Sequence, residues 1–248
     1  MPKRVRLCVD MHVHLGASRD GGKLSGRGIQ KLLEEYPVTH AVVFPIDEPD
    51  SGASYARMNA KVAALTRQDK RIIGFCRLDP RQKDAAFKEI KRAVHRGLRG
   101  VKLHPRSEDF SPQTAEDLFP AIEKEKFPVL LHTSHEHHCH PALWESLFRK
   151  HPKINFILAH AGKDAYQEAG AVASRCSNVY LETSTLSYGR TSVLFKTLGP
   201  GKMVFASDVP YSHPAVELAK WELILRGNPS AQRKIFEENP KRILGGLP

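Results

Sequence analysis

Short hydrophobic runs, rich in β-branched residues and each ended by a polar residue, glycine or proline, recur along the chain. Each run is followed by a longer stretch in which apolar residues recur at helical spacing. This alternation is typical of parallel β/α architecture. It predicts eight strands, at residues 5–13, 40–45, 72–78, 100–104, 128–132, 155–160, 179–183 and 203–208.

Amphipathic stretches separate these strands and predict helices. Pro112 and Pro141 lie near predicted helix starts, and Gly97 follows a predicted helix end. The clearest stretches are residues 53–66, 83–96, 114–125, 141–150 and 214–226, and residues 230–244 predict one or two closing helices.

The length of 248 residues matches the roughly 250 residues of an eight-stranded TIM barrel. We therefore expect an α/β fold of the (β/α)8 TIM-barrel type, with one domain over residues 1–248 and an extra C-terminal helix. A doubly wound open sheet would give similar local patterns and remains the alternative.

Composition adds further expectations. The chain is 41% hydrophobic and 26% charged, as is usual for a globular protein. Its longest apolar runs, such as residues 41–44 and 156–159, are too short to span a membrane. The basic N-terminus lacks the apolar segment of a signal peptide, so we expect a mature cytoplasmic protein. The four cysteines lie far apart and predict neither a disulfide framework nor a thiolate zinc finger.

The net charge of +11 is compatible with anionic substrates or with nucleic acid. Lysines and arginines are, however, scattered over the predicted helices and are not gathered with aromatic residues into a groove. We therefore expect a small-molecule substrate, and neither nucleic acid nor a membrane as a partner. Association into a homo-oligomer is left open.

Polar residues end five of the predicted strands, where barrel active sites are built. His12 and His14 are two residues apart on the first strand, so both side chains project from one face. His132 and His160 end the fifth and sixth strands, and Asp208 ends the eighth. Each alone is compatible with a structural role. Together these five residues predict a metal site with a carboxylate that can accept a proton.

The segments HVH, KLHP, LLHT, LAHAG and ASDVP resemble those of the amidohydrolase superfamily, above all the branch that contains aminocarboxymuconate-semialdehyde decarboxylase. The resemblance spans nearly the whole chain. It implies that His12, His14, His132 and Asp208 hold one divalent metal and that His160 assists the chemistry. Zinc is the first choice, although the same ligands suit manganese, iron, cobalt or nickel.

Lys102 leaves the metal count open. The resemblance includes binuclear enzymes in which a fourth-strand lysine is carbamylated and bridges two metals, and Lys102 lies on the predicted fourth strand. We favour one metal. Lys102 and His104 share a strand face, so either could instead bind a substrate carboxylate.

Two further features lie near the predicted site. His135 and His137 belong to a histidine-rich segment that follows the fifth strand, and they are candidates for a second metal or for substrate binding. The alternative is a solvated loop over the pocket. Glu182 ends the seventh strand and is predicted either to orient a metal-binding histidine or to be structural.

These residues predict a metal-dependent hydrolase acting on a small amide, ester or lactone. Asp208 would take a proton from metal-bound water, and His160 would polarise the substrate or carry the proton. Non-oxidative decarboxylation of a carboxylated small molecule is the nearest alternative. A metal-dependent nuclease is a weaker one, because the barrel nucleases it resembles carry glutamate where this chain has Lys102, and a binding protein without turnover is the fourth. Loops at residues 16–28 and 210–213 are expected to set specificity.

Overall fold

Ten strands form in the computed structural model, which describes residues 7–247. They are β1 (Val9–Ala17), β2 (Lys23–Leu24), β3 (His40–Pro45), β4 (Ile72–Gly74), β5 (Cys76–Arg77), β6 (Val101–Leu103), β7 (Val129–His132), β8 (Phe156–Ala159), β9 (Val179–Glu182) and β10 (Met203–Val204). All neighbouring pairs are parallel except β1 and β2, where β2 lies outside the barrel and pairs with the end of β1.

The strands close into the predicted (β/α)8 TIM barrel. β4 and β5 form one barrel strand that is interrupted at Phe75, with β3 on one side and β6 on the other. The last gap closes between β1 and the segment that follows β10, where the Met11 amide donates to the Phe205 carbonyl at 3.0 Å. The Asp208 amide donates to the His12 carbonyl at 2.9 Å in the same seam. This closure excludes the open sheet.

The helices surround this barrel, and several have the sequence signals expected at their ends. Pro112 and Pro141 each occupy a first helical turn, and Gly97 has a positive φ after a helix end. The helices are α1 (Gly26–Glu35), α2 (Ala56–Gln68), α3 (Lys83–His95), α4 (Pro105–Glu108), α5 (Pro112–Glu116), α6 (Phe119–Lys124), α7 (Glu145–Lys150), α8 (Tyr166–Arg175), α9 (Tyr188–Leu198), α10 (Pro214–Ile224), α11 (Pro229–Arg233) and α12 (Asn239–Ile243). A π-helical turn at Lys234–Glu238 joins the closing helices. None of the helices formed by residues 7–247 has the length and hydrophobicity that crossing a bilayer requires.

Inside the barrel, the side chains form two layers of different chemistry. The lower layer, towards the N-terminal ends of the strands, is apolar and contains Val9, Met11, Val42, Ile73, Phe75, Leu130, Ile157, Tyr180 and Val204. Ile243 and Leu244 from the end of the chain pack against it. Phe44 belongs to the same apolar cluster but pairs in register with His14 and packs against the rings of His12 and His14. The upper layer, at the C-terminal ends, is polar and contains His12, His14, Arg77, Lys102, His132, His160, Glu182 and Asp208, all buried.

A β-bulge in β1 divides these layers. Asp10 pairs with Ala41 and Val13 pairs with Val43, so two residues of β1 face one residue of β3. Met11 therefore belongs to the barrel interior, while Val13 packs outside among the helices. The extra residue shifts the alternation, and His12 and His14 then share the inward face above Met11.

The structure corrects several predicted boundaries. The first strand begins at Val9 and extends to Ala17, and positions 5 and 6 of the prediction lie outside the described residues. The predicted helix at 114–125 is two short helices, α5 and α6. His104, His160 and Asp208 follow their strands, because each strand ends where the backbone turns out of the sheet. The helices α1, α8 and α9 and the β2 hairpin were not specified in advance.

Candidate metal centre

Three atoms from opposite ends of the chain converge at the top of the barrel. His12 Nε2 lies 3.1 Å from His14 Nε2, and each lies 3.0 Å from Asp208 Oδ1. His160 joins them, since ligand atoms of His12, His160 and Asp208 all lie within 4.8 Å of one another. Barrel closure explains this meeting, because β1 and the segment after β10 are neighbours.

Glu182 on β9 accepts hydrogen bonds from two of these histidines, His12 and His160. Its Oε1 accepts a hydrogen bond from His12 Nδ1 at 2.8 Å and another from the His160 amide at 2.8 Å. Its Oε2 accepts from the Ser184 amide at 2.7 Å. Burial raises the pKa of Glu182, but the His12 hydrogen bond and the nearby His12 and His160 outweigh it and lower the pKa to about 2. Glu182 is therefore an ionised acceptor that holds a proton on His12 Nδ1, while Nε2 of the same ring faces His14 and Asp208.

The donor set fits a divalent cation. Burial lowers the pKa of His14 to about 3, so its imidazole is neutral at physiological pH. Burial raises the pKa of Asp208, but His12 and His160 together lower it well below its usual value. Burial lowers the pKa of His12, but the carboxylates of Asp208 and Glu182 outweigh it and raise the pKa. His12 Nε2, His14 Nε2 and Asp208 Oδ1 lie within about 3 Å of one another in a buried site, where a divalent cation would take the place of the proton shared by His12 and Asp208.

His132 lies beside this group and has a free ring nitrogen. Its Nε2 is buried and has no hydrogen-bond partner among residues 7–247. Its ring packs edge-on against His160, with centroids 5.0 Å apart. Burial and the neighbouring His160 lower the pKa of His132 well below its usual value, which leaves a neutral imidazole. An orphaned nitrogen in this position is suited to a metal ligand.

His104 stacks on His132 and faces the barrel mouth. The two rings are nearly parallel, with centroids 3.8 Å apart. His104 caps α4, because its Nδ1 accepts a hydrogen bond from the Ser107 amide at 3.1 Å. The neutral ring therefore carries its proton on Nε2. His104 is only partly buried, so this N–H group is a donor available to a substrate.

Lys102 is a buried amine without a hydrogen-bond partner among the described residues. It pairs in register with Arg77 on β5, and its Nζ lies 4.9 Å from the centre of the Phe44 ring. No acceptor within residues 7–247 reaches this Nζ. Burial, reinforced by the positive charge of Arg77, lowers the pKa of Lys102 to about 7. A substantial fraction of Lys102 is therefore the neutral amine near pH 7.

The backbone after β8 adopts a left-handed turn. Four consecutive residues have positive φ: His160 (59°), Ala161 (42°), Gly162 (79°) and Lys163 (52°). Only one of them is glycine, so the turn stores strain of the kind that clusters at functional sites. The Thr133 hydroxyl supports it by accepting from the Gly162 amide at 3.0 Å. The turn directs the His160 imidazole back over the barrel.

The structure does not bring His135 and His137 into this group. The His135 side chain is 56% exposed, and its Nδ1 lies 3.4 Å from Asp164 Oδ2. His137 is exposed and packs against His138. Both lie on the loop that follows β7, at the rim of the barrel.

Two further buried acid or base residues, Arg77 and Asp10, lie near the site and were not among the predicted site residues. Arg77 donates to Glu108 Oε1 from Nε at 3.1 Å and from Nη2 at 2.5 Å. Arg77 lies at the end of the third barrel strand, so its position at a strand end is the sequence signal that indicates it. Asp10 accepts from the His12 amide at 3.1 Å and the Ser207 amide at 2.9 Å. Asp10 thereby fixes the β-bulge, a role that no sequence spacing indicates.

Comparison with known proteins agrees with the fold. The family model described as amidohydrolase matches residues 9–246. No curated protein is significantly similar to the chain in sequence. Solved structures with the same fold include an uncharacterised TIM-barrel protein from Bordetella bronchiseptica, at 18% identity and a TM-score of 0.77, covering 96% of this chain and 98% of that one.

Two further structural relatives are decarboxylases. The 2,6-dihydroxybenzoate decarboxylase from Rhizobium is 14% identical, with a TM-score of 0.73, and the match covers 97% of this chain and 99% of that one. The 5-carboxyvanillate decarboxylase from Novosphingobium aromaticivorans is 13% identical, with a TM-score of 0.76, and the match covers 99% and 97%. The latter was solved with manganese and 4-hydroxy-3-methoxy-5-nitrobenzoic acid.

Proposed function

Because the chain belongs to the amidohydrolase family, we propose that it is a metal-dependent decarboxylase of a small carboxylated molecule, working as one domain. The observation that carries the metal assignment is the convergence of His12 Nε2, His14 Nε2 and Asp208 Oδ1 at 3.0–3.1 Å. His132 completes the proposed ligand set through its free Nε2. His160 is the proposed catalytic neighbour.

Two observations favour decarboxylation over the hydrolysis expected from sequence. Decarboxylases are among the proteins that share the fold over nearly their full length. Two residues at the C-terminal ends of the strands also suit a carboxylated substrate: the buried Lys102 has no acceptor within residues 7–247, and His104 presents an N–H donor. A substrate with an acidic group would supply the missing partner.

In the proposed reaction the carbon–carboxyl bond breaks, its electron pair stays on the carbon as carbon dioxide leaves, and a proton taken up from solvent water bonds to that carbon. The cation, when bound, would supply electrostatic stabilisation of the negative charge that develops on the substrate. Asp208 and His160 are the proposed groups that pass the proton to this carbon, because they lie on one side of the group, with His160 Nδ1 3.9 Å from Asp208 Oδ2. Glu182 orients His12, and His104 orients the substrate.

Hydrolysis is the second candidate, and the ionised state of Asp208 favours it. A carboxylate with a low pKa can take a proton from a bound water, and the resulting hydroxide can attack an amide, ester or lactone. The metal is proposed to be a single divalent ion, with zinc from the ligand types and manganese from one relative as the leading identities. A second ion would require carbamylation of Lys102.

Elemental analysis and a substrate panel test this proposal. We expect one divalent ion per chain, and release of labelled carbon dioxide from one or more hydroxylated aromatic acids carrying a ¹³C-carboxyl group. The matched control is Asp208→Asn, which should release none. Turnover of a lactone or amide without carbon dioxide would replace decarboxylation by hydrolysis. Two ions per chain would point to a modified Lys102.

A further inference from the structure

Helix α10 buries two charged residues beside Trp221 and exposes two large apolar residues. Glu217 and Lys220 are buried against the barrel, at 2% and 8% exposure. Val216 and Leu223 point outwards, and each is 61% exposed. A surface helix normally buries its apolar face, and burying two charges costs free energy unless they are well paired. The burial of Glu217 and Lys220 is therefore expected to depend on specific partners.

Both charges bind the loop that follows β9. Lys220 Nζ donates to the carbonyls of Thr183 at 2.6 Å and Leu186 at 2.9 Å. Glu217 Oε1 accepts from the Thr185 amide at 3.0 Å, and Glu217 also forms an ion pair with Lys220. We call residues 183–186 the clamped loop. Its backbone is held at three points by one helical turn.

The same pair reaches the loop that follows β10. Glu217 Oε1 accepts from the Ser212 hydroxyl at 3.1 Å. Ser212 lies four residues after Asp208, and its amide donates to the Asp208 carbonyl at 3.3 Å. Glu217 thus connects the segment that carries Asp208 with the clamped loop.

The clamped loop in turn holds His160. His160 Nδ1 lies 3.0 Å from the Ser184 hydroxyl and 3.3 Å from the Ser184 carbonyl, which can only accept. The carboxylates of Glu182 and Asp208 lie on the same side, at 3.8 and 3.9 Å. Acceptors therefore surround Nδ1 and favour the tautomer with its proton there. Nε2 is left with a free lone pair.

We propose that Glu217 and Lys220 are positioning residues that hold the clamped loop so that Ser184 fixes the orientation and the Nδ1–H tautomer of His160. Neither side chain is proposed to touch the substrate. The inference rests on the proposed catalytic role of His160, but the orientation and tautomer of His160 can be tested without any substrate.

Lys202 provides a matched control at the other end of the same strand. Its Nζ donates to the backbone carbonyls of Cys176 at 2.7 Å, Ser177 at 3.0 Å and Val179 at 3.2 Å. Lys202 and Lys220 therefore make the same kind of contact below and above β9. Only Lys220 acts on a loop that contacts His160.

The experiment compares Lys220→Met, the double variant Glu217→Met/Lys220→Met and Lys202→Met in the full chain. The double variant removes both charges, because a lone buried charge could unfold the protein whereas an apolar pair often preserves stability. Imidazole ¹⁵N shifts are recorded after chelation and after zinc loading, and His160→Gln assigns the His160 signals. Melting temperature, kcat and KM are measured in parallel.

We expect wild type and Lys202→Met to show the fixed Nδ1–H pattern for His160. Both Lys220 variants should instead show an average of the two tautomers. Their kcat should fall by about 10- to 100-fold, with KM changed by less than about 2-fold, because misplacement by about 1 Å has this effect on rate. Lys202→Met should lower the melting temperature without changing kcat.

Two results overturn the inference. One is a folded double variant with the wild-type His160 pattern and wild-type kcat. The other is a Lys202→Met variant that disturbs His160 as much as Lys220→Met does, since the effect would then reflect general stability. Absence of turnover by wild type on every substrate counts against the proposed function alone, because the ¹⁵N pattern still decides the inference.

Discussion

The lower and upper layers of the barrel interior are equally buried but chemically opposite. The lower layer is filled by aliphatic and aromatic side chains such as Leu130 and Ile157. The upper layer holds imidazoles, two carboxylates and an unpaired lysine, and several polar atoms there have no partner within residues 7–247. Burying such groups without full pairing opposes folding, whereas burying the lower layer drives it.

This difference indicates that the two ends of the barrel have different roles. The lower layer supplies stability, and the upper layer keeps unsatisfied groups ready for a cation and a substrate. Changes in the lower layer should therefore alter the free energy of unfolding but spare the site. Changes in the upper layer should alter metal binding and activity but leave the free energy of unfolding nearly unchanged.

The largest effect is expected for Asp208→Asn in the upper layer. The amide keeps the shape of the side chain but loses the charge that faces His12 and His14. We expect loss of activity on the order of 10³-fold or more and metal content well below one ion per chain. Circular dichroism and elemental analysis check this, and a variant that keeps both metal and activity would contradict the comparison.

In the lower layer, Leu130→Ala should give the next largest effect. Leu130 is fully buried, and truncation leaves a cavity among neighbours that cannot collapse completely. We expect a decrease of about 2–5 kcal/mol in the free energy of unfolding, measured by urea titration. Metal content should stay at the wild-type value. Loss of metal from the folded variant would show that the layers are coupled.

Asp10 lies at the β-bulge between the two layers, and the pH dependence of the free energy of unfolding tests its role there. Burial raises the pKa of Asp10 to about 7 despite hydrogen bonds from Ser207 and His12. An acid with a raised folded-state pKa stabilises the protein below its unfolded pKa and loses that contribution as pH rises through about 7. Asp10→Asn can keep the acceptor oxygen but cannot ionise.

We therefore expect the free energy of unfolding of Asp10→Asn, relative to that of wild type, to increase by roughly 2–4 kcal/mol as the pH rises from about 4 to about 7. Above this range the difference should be constant. Urea titrations at a series of pH values measure it. A difference between the two proteins that does not change with pH would show that Asp10 does not titrate in this window.

Glu182→Gln should have the smallest of these effects. The variant keeps an oxygen at the same place but weakens the hold on His12 Nδ1. Substitutions of carboxylates that support metal-binding histidines cost about 10- to 100-fold in metal affinity. Competition with a chelator measures this loss. Unchanged affinity would mean that Glu182 only supports the backbone amides of His160 and Ser184.

Much of the site was predictable from local pattern. The hydrophobic runs predicted the eight barrel strands, and the polar residues at their ends identified His12, His14, His132, His160 and Asp208. Parallel strands whose C-terminal ends meet at one rim bring such residues together without further information. The expectation of a TIM barrel was therefore confirmed. The roles of His12, His14, His132 and Asp208 as metal ligands remain proposals.

Other features required contacts between distant parts of the chain. Strict alternation after Val9 and Met11 would have turned His12 outwards, and only the bulge fixed by Asp10 and Ser207 turns it inwards. The orientation of His160 depends on Ser184 and, through the clamped loop, on α10.

The sequence by itself thus determined the series of strands and helices and the chemical types of residue at the strand ends, because strand and helix periodicity are local properties. It left the barrel and the open sheet as alternatives, and the contact between β1 and the segment after β10 decided between them. Tertiary structure alone decided which partner each histidine nitrogen has, which charges are paired and why Lys102 has no acceptor within residues 7–247. These depend on partners far apart in the chain, as with His12 and Glu182 on β1 and β9. No local pattern encodes such a meeting.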